Sequence, residues 1–249
     1  TYTYCFEDNW PWLGDYDMND VVIVSRIDRM MSKDGGKVSA LTINWELRAA
    51  GTTYDIAGAV QMDKVQTSDV AGVVSSHEGF GSGAFASRGL DADSPCAVIP
   101  FFNRTEELLS ASNTWKGQPA AAIRKHTTTV TFSQPVDIAS VLDSEMNFFI
   151  APKQRTSEIH MPGYAPTASG IIGKGSFLPS DPYKFFVTEG DQAKNNYMMW
   201  ALMIPGEFRY PAETNDIRGV YEYFMAWASS NGAEHAEWYL ESADAGRIY

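Results

Sequence analysis

Leu41-Thr42-Ile43-Asn44-Trp45-Glu46-Leu47-Arg48 alternates apolar and polar residues without a break. Residues two apart share a face of an extended chain, so this period describes a strand with one buried and one wet face. A β-branched run, Asp20-Val21-Val22-Ile23-Val24, precedes it. Asp34-Gly35-Gly36 stands between the two, so the pair reads as a hairpin. Further strands are expected at Tyr54–Met62, Thr127–Phe132, Met146–Ala151, Ser157–His160, Tyr183–Val187 and Met198–Ile204, with Gly, Pro, Ser and Asn in the breaks. A short helical turn is expected at Thr105–Ala111. Near the C-terminus, Ile217, Val220, Tyr221, Phe224, Trp227 and Ala228 keep the spacing of one amphipathic helix. Thr214 or Asn215 would cap its start and Asn231-Gly232 its end. Many strands and few helices predict an all-β fold, a jelly-roll-like β-sandwich with one C-terminal helix packed on it. Without internal repeats or a low-complexity linker, residues 1–249 read as a single domain.

Composition narrows the classes of partner. Hydrophobic residues at 44% provide for a sizeable core, and 20% charged residues are too few for disorder. With 31 acidic against 19 basic residues the net charge is -12, which argues against nucleic acid or an anionic membrane and suits a divalent cation. No apolar run is long enough to span a bilayer, and no signal peptide is visible. The chain begins at Thr1, one strand ahead of an acidic motif, and reads as a mature or trimmed fragment. Cys5 and Cys96 would form one disulfide in an exported protein or stand as two buried thiols; the sequence leaves both open.

The acidic motif is CFEDNWPWLGDYDMND, residues 5–20. Glu7, Asp8, Asp15, Asp17 and Asp20 fall within it and no Lys or Arg does. Like charges this close oppose folding unless a cation compensates. Asp15, Asp17 and Asn19 are spaced by two, so a tight loop aims three oxygens at one centre, and Gly14 permits the turn. Calcium takes six to eight such oxygens at roughly 2.3–2.6 Å. Glu7, Asp8 and Asp20 complete the candidate shell, and an all-oxygen set favours calcium over zinc or copper. The motif is not an EF-hand, because the sixth and twelfth positions from Asp15 are Asp20 and Arg26 rather than Gly and Glu. The competing reading is a solvated turn whose Asp and Asn side chains bond their own backbone.

These residues resemble a known family. Phe6-Glu7-Asp8, Pro11, Gly14-Asp15-Tyr16-Asp17 and Asn19-Asp20-Val21-Val22 are similar to the opening signature of the LruC-type domain. Glu158-Ile159-His160-Met161-Pro162-Gly163-Tyr164-Ala165-Pro166-Thr167 resembles its central segment, with Met161 where Leu is usual. Trp200–Pro205, Phe208, Tyr210-Pro211, Glu213, Trp227 and Trp238-Tyr239 resemble its C-terminal block. The resemblance implies an extracytoplasmic protein, secreted or anchored at the surface and often a lipoprotein. It makes a calcium-binding acidic loop more plausible and supplies no activity. The cysteines lie outside the signature.

Other candidates are weaker. Of His77, His126, His160 and His235, no pair has metal-ligand spacing. His160, two residues after Glu158, reads as a general base or ligand contact, or as half of a structural pair. Trp12 and Trp115 lie in loop-like contexts and are the candidates for stacking on a sugar, whereas Trp45 and Trp227 read as core. The segment His77–Gly83 is Gly-rich but lacks the Lys of a phosphate-cradling loop. Together these features predict a calcium-binding surface module with a binding or adhesion role toward a glycan or protein. The alternatives are a calcium-dependent polysaccharide hydrolase and a subunit of a surface assembly.

Overall fold

The computed structural model describes residues 1–10, 14–33, 35–152, 155, 157–169, 199–230 and 232–249. Ten strands are present among these: β1 (Tyr2–Phe6), β2 (Val21–Met31), β3 (Lys37–Ala49), β4 (Ile56–Gln66), β5 (Val70–Ser75), β6 (Cys96–Phe102), β7 (His126–Asp137), β8 (Met146–Pro152), β9 (Ile159–His160) and β10 (Ala201–Pro205). They form two antiparallel sheets, ordered β10-β1-β2-β3-β7-β5 and β6-β4-β8-β9. This is the all-β sandwich that the alternating pattern predicts. The expected strand at Tyr183–Val187 lies outside the described residues.

The two sheets meet through aromatic side chains. Tyr4 of β1 stacks on Phe148 of β8 with ring centroids 4.0 Å apart. Trp45 of β3 lies 5.1 Å from Phe101 of β6. Val21 to Val24 and Leu41, Ile43, Trp45 and Leu47 are all buried, so the wet and dry faces of β3 fall as its sequence dictates. Gly35 and Gly36 turn the β2–β3 hairpin at φ 67° and 79°, a conformation open to glycine at little cost.

The smaller sheet is buried on both faces. Segment 76–95 lies across its outer side, where Phe85 meets Ala57, Ala59, Val98 and Phe149. Asn103 fixes that segment by accepting from Phe85 N and donating to the carbonyls of Gly81 and Phe85. The Gly-rich His77–Gly83 stretch is therefore part of a cover.

Two sequence expectations are corrected here. The C-terminal periodicity belongs to two short helices, α1 (Ile217–Val220) and α2 (Phe224–Ser229), not to one. Tyr221 between them is extended at φ -109°, ψ 108° and forms a β-bridge with Ala243, which breaks the helix. The N-cap is Asp216, which accepts from Arg218 N at 2.8 Å; Asn215 instead donates to the carbonyls of Ala212 and Glu213. Gly232 follows α2 in a left-handed conformation and donates to Trp227 O, the helix stop expected of it. Secondly, Cys5 and Cys96 are free thiols in different sheets, so the disulfide alternative is not realised.

Close packing of the smaller sheet yields a paired prediction. A Cβ on Gly58 would lie 2.5 Å from Phe102 Cζ, whereas one on Gly72 of β5 meets nothing within 4 Å. Gly58→Ala should therefore cost about 1–3 kcal/mol through overpacking. Gly72→Ala should be stabilising by about 0.5 kcal/mol, since alanine has less backbone entropy to lose. Urea unfolding of both variants beside the parent measures the difference.

Candidate metal centre

The acidic loop runs from the end of β1 to the start of β2. Its backbone alternates: Gly14, Tyr16 and Met18 have φ of 63°, 53° and 56°. Non-glycine residues rarely occupy this region, and holding them there costs on the order of 1 kcal/mol or more each. Burial anchors them. Tyr16 and Met18 are closed off from solvent, and the Tyr16 hydroxyl donates to Met199 O at 2.8 Å and accepts from Met199 N at 3.1 Å. With these two side chains held in the core, Asp15 and Asp17 come together with Glu7. One ligand oxygen from each of the three lies within 4.8 Å of the others.

Glu7 and Asp17 are buried and Asp15 is exposed, so the cluster reaches from the interior to the surface. Glu7 Oε1 accepts from Met18 N at 2.5 Å, but Glu7 Oε2 is buried without a hydrogen-bond partner. Asp17 accepts from Asn19 N and from Thr214 N. Asp20 accepts from Asp8 N at 2.8 Å, and Thr52 donates its hydroxyl to Asp8. Burial, followed by the charges of Asp20 and Asp17, pushes Glu7 well above the usual carboxylate range. Burial and Asp15 push Asp17 up to about 8, and burial and Asp8 push Asp20 up to about 9. Each shift has the same sign: this pocket disfavours bare negative charge.

Folding adds members that spacing along the sequence does not reveal. Glu213 belongs to the centre electrostatically: its charge acts on Asp17, while burial first, then Asp15 and Asp8, raise its own pKa. Glu213 Oε2 and Asn19 Oδ1 are both buried without hydrogen-bond partners. Both border Gly51, where a Cβ would sit 2.2 Å from Asn19 Oδ1 and 3.1 Å from Glu213 Oε2. Gly51 N donates to Asn19 O, which pins the loop after β3 against the acidic loop. Glu213 carried a weak signal, as one residue of the C-terminal block of the resemblance.

The candidate ligand-contact residues fare differently. Trp12 lies outside the described residues. Trp115 is 49% exposed. His160 is enclosed: its side chain is 0% accessible, it stacks on Phe149 at 4.5 Å, and its nitrogens meet Asn147 Oδ1 at 2.7 Å and Glu158 Oε2 at 3.1 Å. Glu158 also binds Arg155 and both the hydroxyl and the N–H of Thr167, and Arg155 reaches Asp91. This is a buried strut that fastens the segment after β9 to the small sheet.

A family described as "Domain of unknown function (DUF4842)" matches residues 36–239. The chain belongs to this family. The match covers Gly51 and Glu213 of the DUF4842 domain and begins after its acidic loop. The fold is similar to the crystal structure of a "Putative lipoprotein from Bacteroides ovatus", with a TM-score of 0.74 at 19% identity. That alignment covers 100% of this chain and 74% of the other. No curated protein matches the chain. Among the described residues, no helix is long and apolar enough to cross a membrane.

The strut around Glu158 carries a pH signature. Burial alone would raise Glu158, but hydrogen bonds and charge from His160, with Thr167 and Arg155, outweigh it and bring the carboxyl to about 2. Its folded pKa lies below the unfolded value near 4.3, so the stability it contributes is present above about pH 4 and is lost as pH falls toward 2. Glu158→Gln should cost about 3 kcal/mol at pH 6, because it removes one of the two carboxylates that pair with buried Arg155 and replaces an acceptor of His160 and Thr167 with an amide. It should also flatten the loss of stability of the parent between pH 4.5 and 2.5. Denaturant midpoints across that range measure both effects.

Proposed function

We propose that this DUF4842 domain is a calcium-binding module of the bacterial cell surface, with the ion in a mainly structural role and the surface serving binding or adhesion to a glycan or protein. One observation carries the reading. Glu7 is a carboxylate sealed from solvent, with one unpartnered oxygen, within 4.8 Å of Asp15 and Asp17. All the donors are hard oxygens: carboxylates of Glu7, Asp15 and Asp17, with Asp8, Asp20, Asn19 and Glu213 beside them. That set suits calcium, which tolerates irregular shells of carboxylate and amide oxygen. The bound ion would neutralise the cluster and tie the acidic loop to the segments around Gly51 and Glu213. Metal affinity would then appear as folding stability.

The name of the Bacteroides ovatus relative and the resemblance to LruC-type domains favour an extracytoplasmic location. A sealed Glu7 cannot reach a glycosidic bond, so the acidic cluster is a poor pair of glycosidase carboxylates. One observation favours a second reading, the subunit of a surface assembly. Among the described residues β5 pairs only with β7, and Val74 on this edge strand is 73% exposed. Such an edge accepts a partner strand.

Thermal unfolding of chelator-stripped protein tests the calcium. At a hundredfold excess over its dissociation constant the ion contributes about 2.7 kcal/mol, a rise of about 5–10 °C for a chain of this length. Magnesium, which demands a stricter octahedral shell, should give a much smaller rise. Asp15→Ala should fold, since Asp15 is exposed, and should lose most of the calcium increment. An unchanged melting temperature in calcium would refute the reading.

A further inference from the structure

A second group of ligating side chains lies at the mouth of the sandwich, between the sheets. His77 follows β5, His126 opens β7, and Glu107 belongs to the loop after β6. His126 stacks on Trp45 with centroids 4.6 Å apart, and the His77 ring meets it edge-on at 5.1 Å. Glu107 Oε1 accepts from Gly81 N at 2.7 Å, which fixes the carboxylate. Glu107 Oε2 lies 3.6 Å from His77 Nε2, beyond hydrogen-bond length. His77 Nε2, His126 Nε2 and Glu107 Oε2 are all buried, and none has a hydrogen-bond partner. His77 Nε2 and Glu107 Oε2 thus face each other as an ion pair too long for a hydrogen bond, while His126 Nε2 has no partner at all among the described residues. Buried polar atoms left in this state call for an explanation, and a bound cation supplies one. They border an open cavity of about 280 Å³, lined also by Ser76, Glu78 and Arg124.

We propose that His77, His126 and Glu107 form a second cation site, selective for a transition-metal ion of the zinc class and distinct from the calcium centre. Two imidazoles and one carboxylate are a zinc-type donor set that leaves a fourth position open to the cavity. Two ligands about 2.0 Å from zinc at a tetrahedral angle stand about 3.3 Å apart, close to the His77–Glu107 separation. The three do not converge within 4.8 Å as they stand, so the proposal requires His126 to turn its ring away from Trp45 on binding. Burial lowers the pKa of both histidines, so the ligating neutral form prevails near neutral pH. Arg88 is engaged with His77 O, and Glu78 and Glu107 together outweigh Arg124 at the cavity. His77 and His126 are 49 positions apart (126 minus 77), so no spacing rule finds them.

The test is a zinc titration of untagged, calcium-saturated protein by calorimetry, paired with ring-nitrogen NMR of its four histidines. The expected result is a single zinc per chain that shifts the ring nitrogens of His77 and His126 and leaves His160 and His235 unmoved. His77→Ala and His126→Ala should each abolish that binding, and Glu107→Gln should weaken it on the order of tenfold. His235→Ala should bind like the parent. If the alanine variants fail to fold, the NMR of the parent decides alone. Absence of zinc binding by the parent, shifts confined to His235, or affinity that survives both histidine substitutions would overturn the proposal.

Discussion

Repulsion between buried carboxylates is the constraint on which the N-terminal third of this molecule turns. Two unit charges within about 5 Å repel by roughly 3 kcal/mol at an effective dielectric of 20, and Glu7 and Asp17 lie within that range in a pocket shielded from water. A whole domain is stable by only about 5–15 kcal/mol. The cluster therefore either holds its protons, as the raised values of Asp17 and Asp20 express, or takes up a cation. The proposed function takes the second outcome. Left-handed Tyr16 and Met18 are held by the burial of their own side chains, and that backbone brings Asp15 and Asp17 toward Glu7.

The sandwich provides the frame for that arrangement. β1 lies between β2 and β10, so the start of the acidic loop is fixed on both sides. Tyr16 reaches Met199 beside β10, Ile217 N donates to Tyr16 O, and Thr214 N donates to Asp17. Segments nearly two hundred residues apart thus meet at the carboxylates, and an ion there would couple them. The mouth occupied by His77, His126 and Glu107 is at the same end of the larger sheet, since Trp45 pairs with His126 and Ala49 with Val22.

Local patterns were legible in the sequence and convergences were not. β2, β3, β4, β7 and β8 follow from alternation and β-branched runs because each carries its own periodicity. β6 hides behind Pro100, which is tolerated because this strand is an edge of the smaller sheet. β5 contains Gly72 and packs little apolar surface, so no pattern marks it. The C-terminal helix was over-read because Tyr221 has the right spacing but is claimed by a bridge to Ala243. Glu7 to Asp20 could be found because they are neighbours in sequence. Glu213, Gly51 and the His77–His126 pair join their sites only through folding. His160 drew attention as an isolated histidine beside an acid, and the fold uses that pair as internal bracing.

The most direct measurement is anomalous diffraction from crystals grown with calcium, recorded at a wavelength where the ion scatters anomalously. The account predicts one peak at roughly 2.3–2.6 Å from oxygens of Glu7, Asp15 and Asp17, with Glu7 Oε2 among the ligands. A site without a peak at saturating calcium, with Glu7 Oε2 hydrogen-bonded to water or to a protonated neighbour, would contradict it.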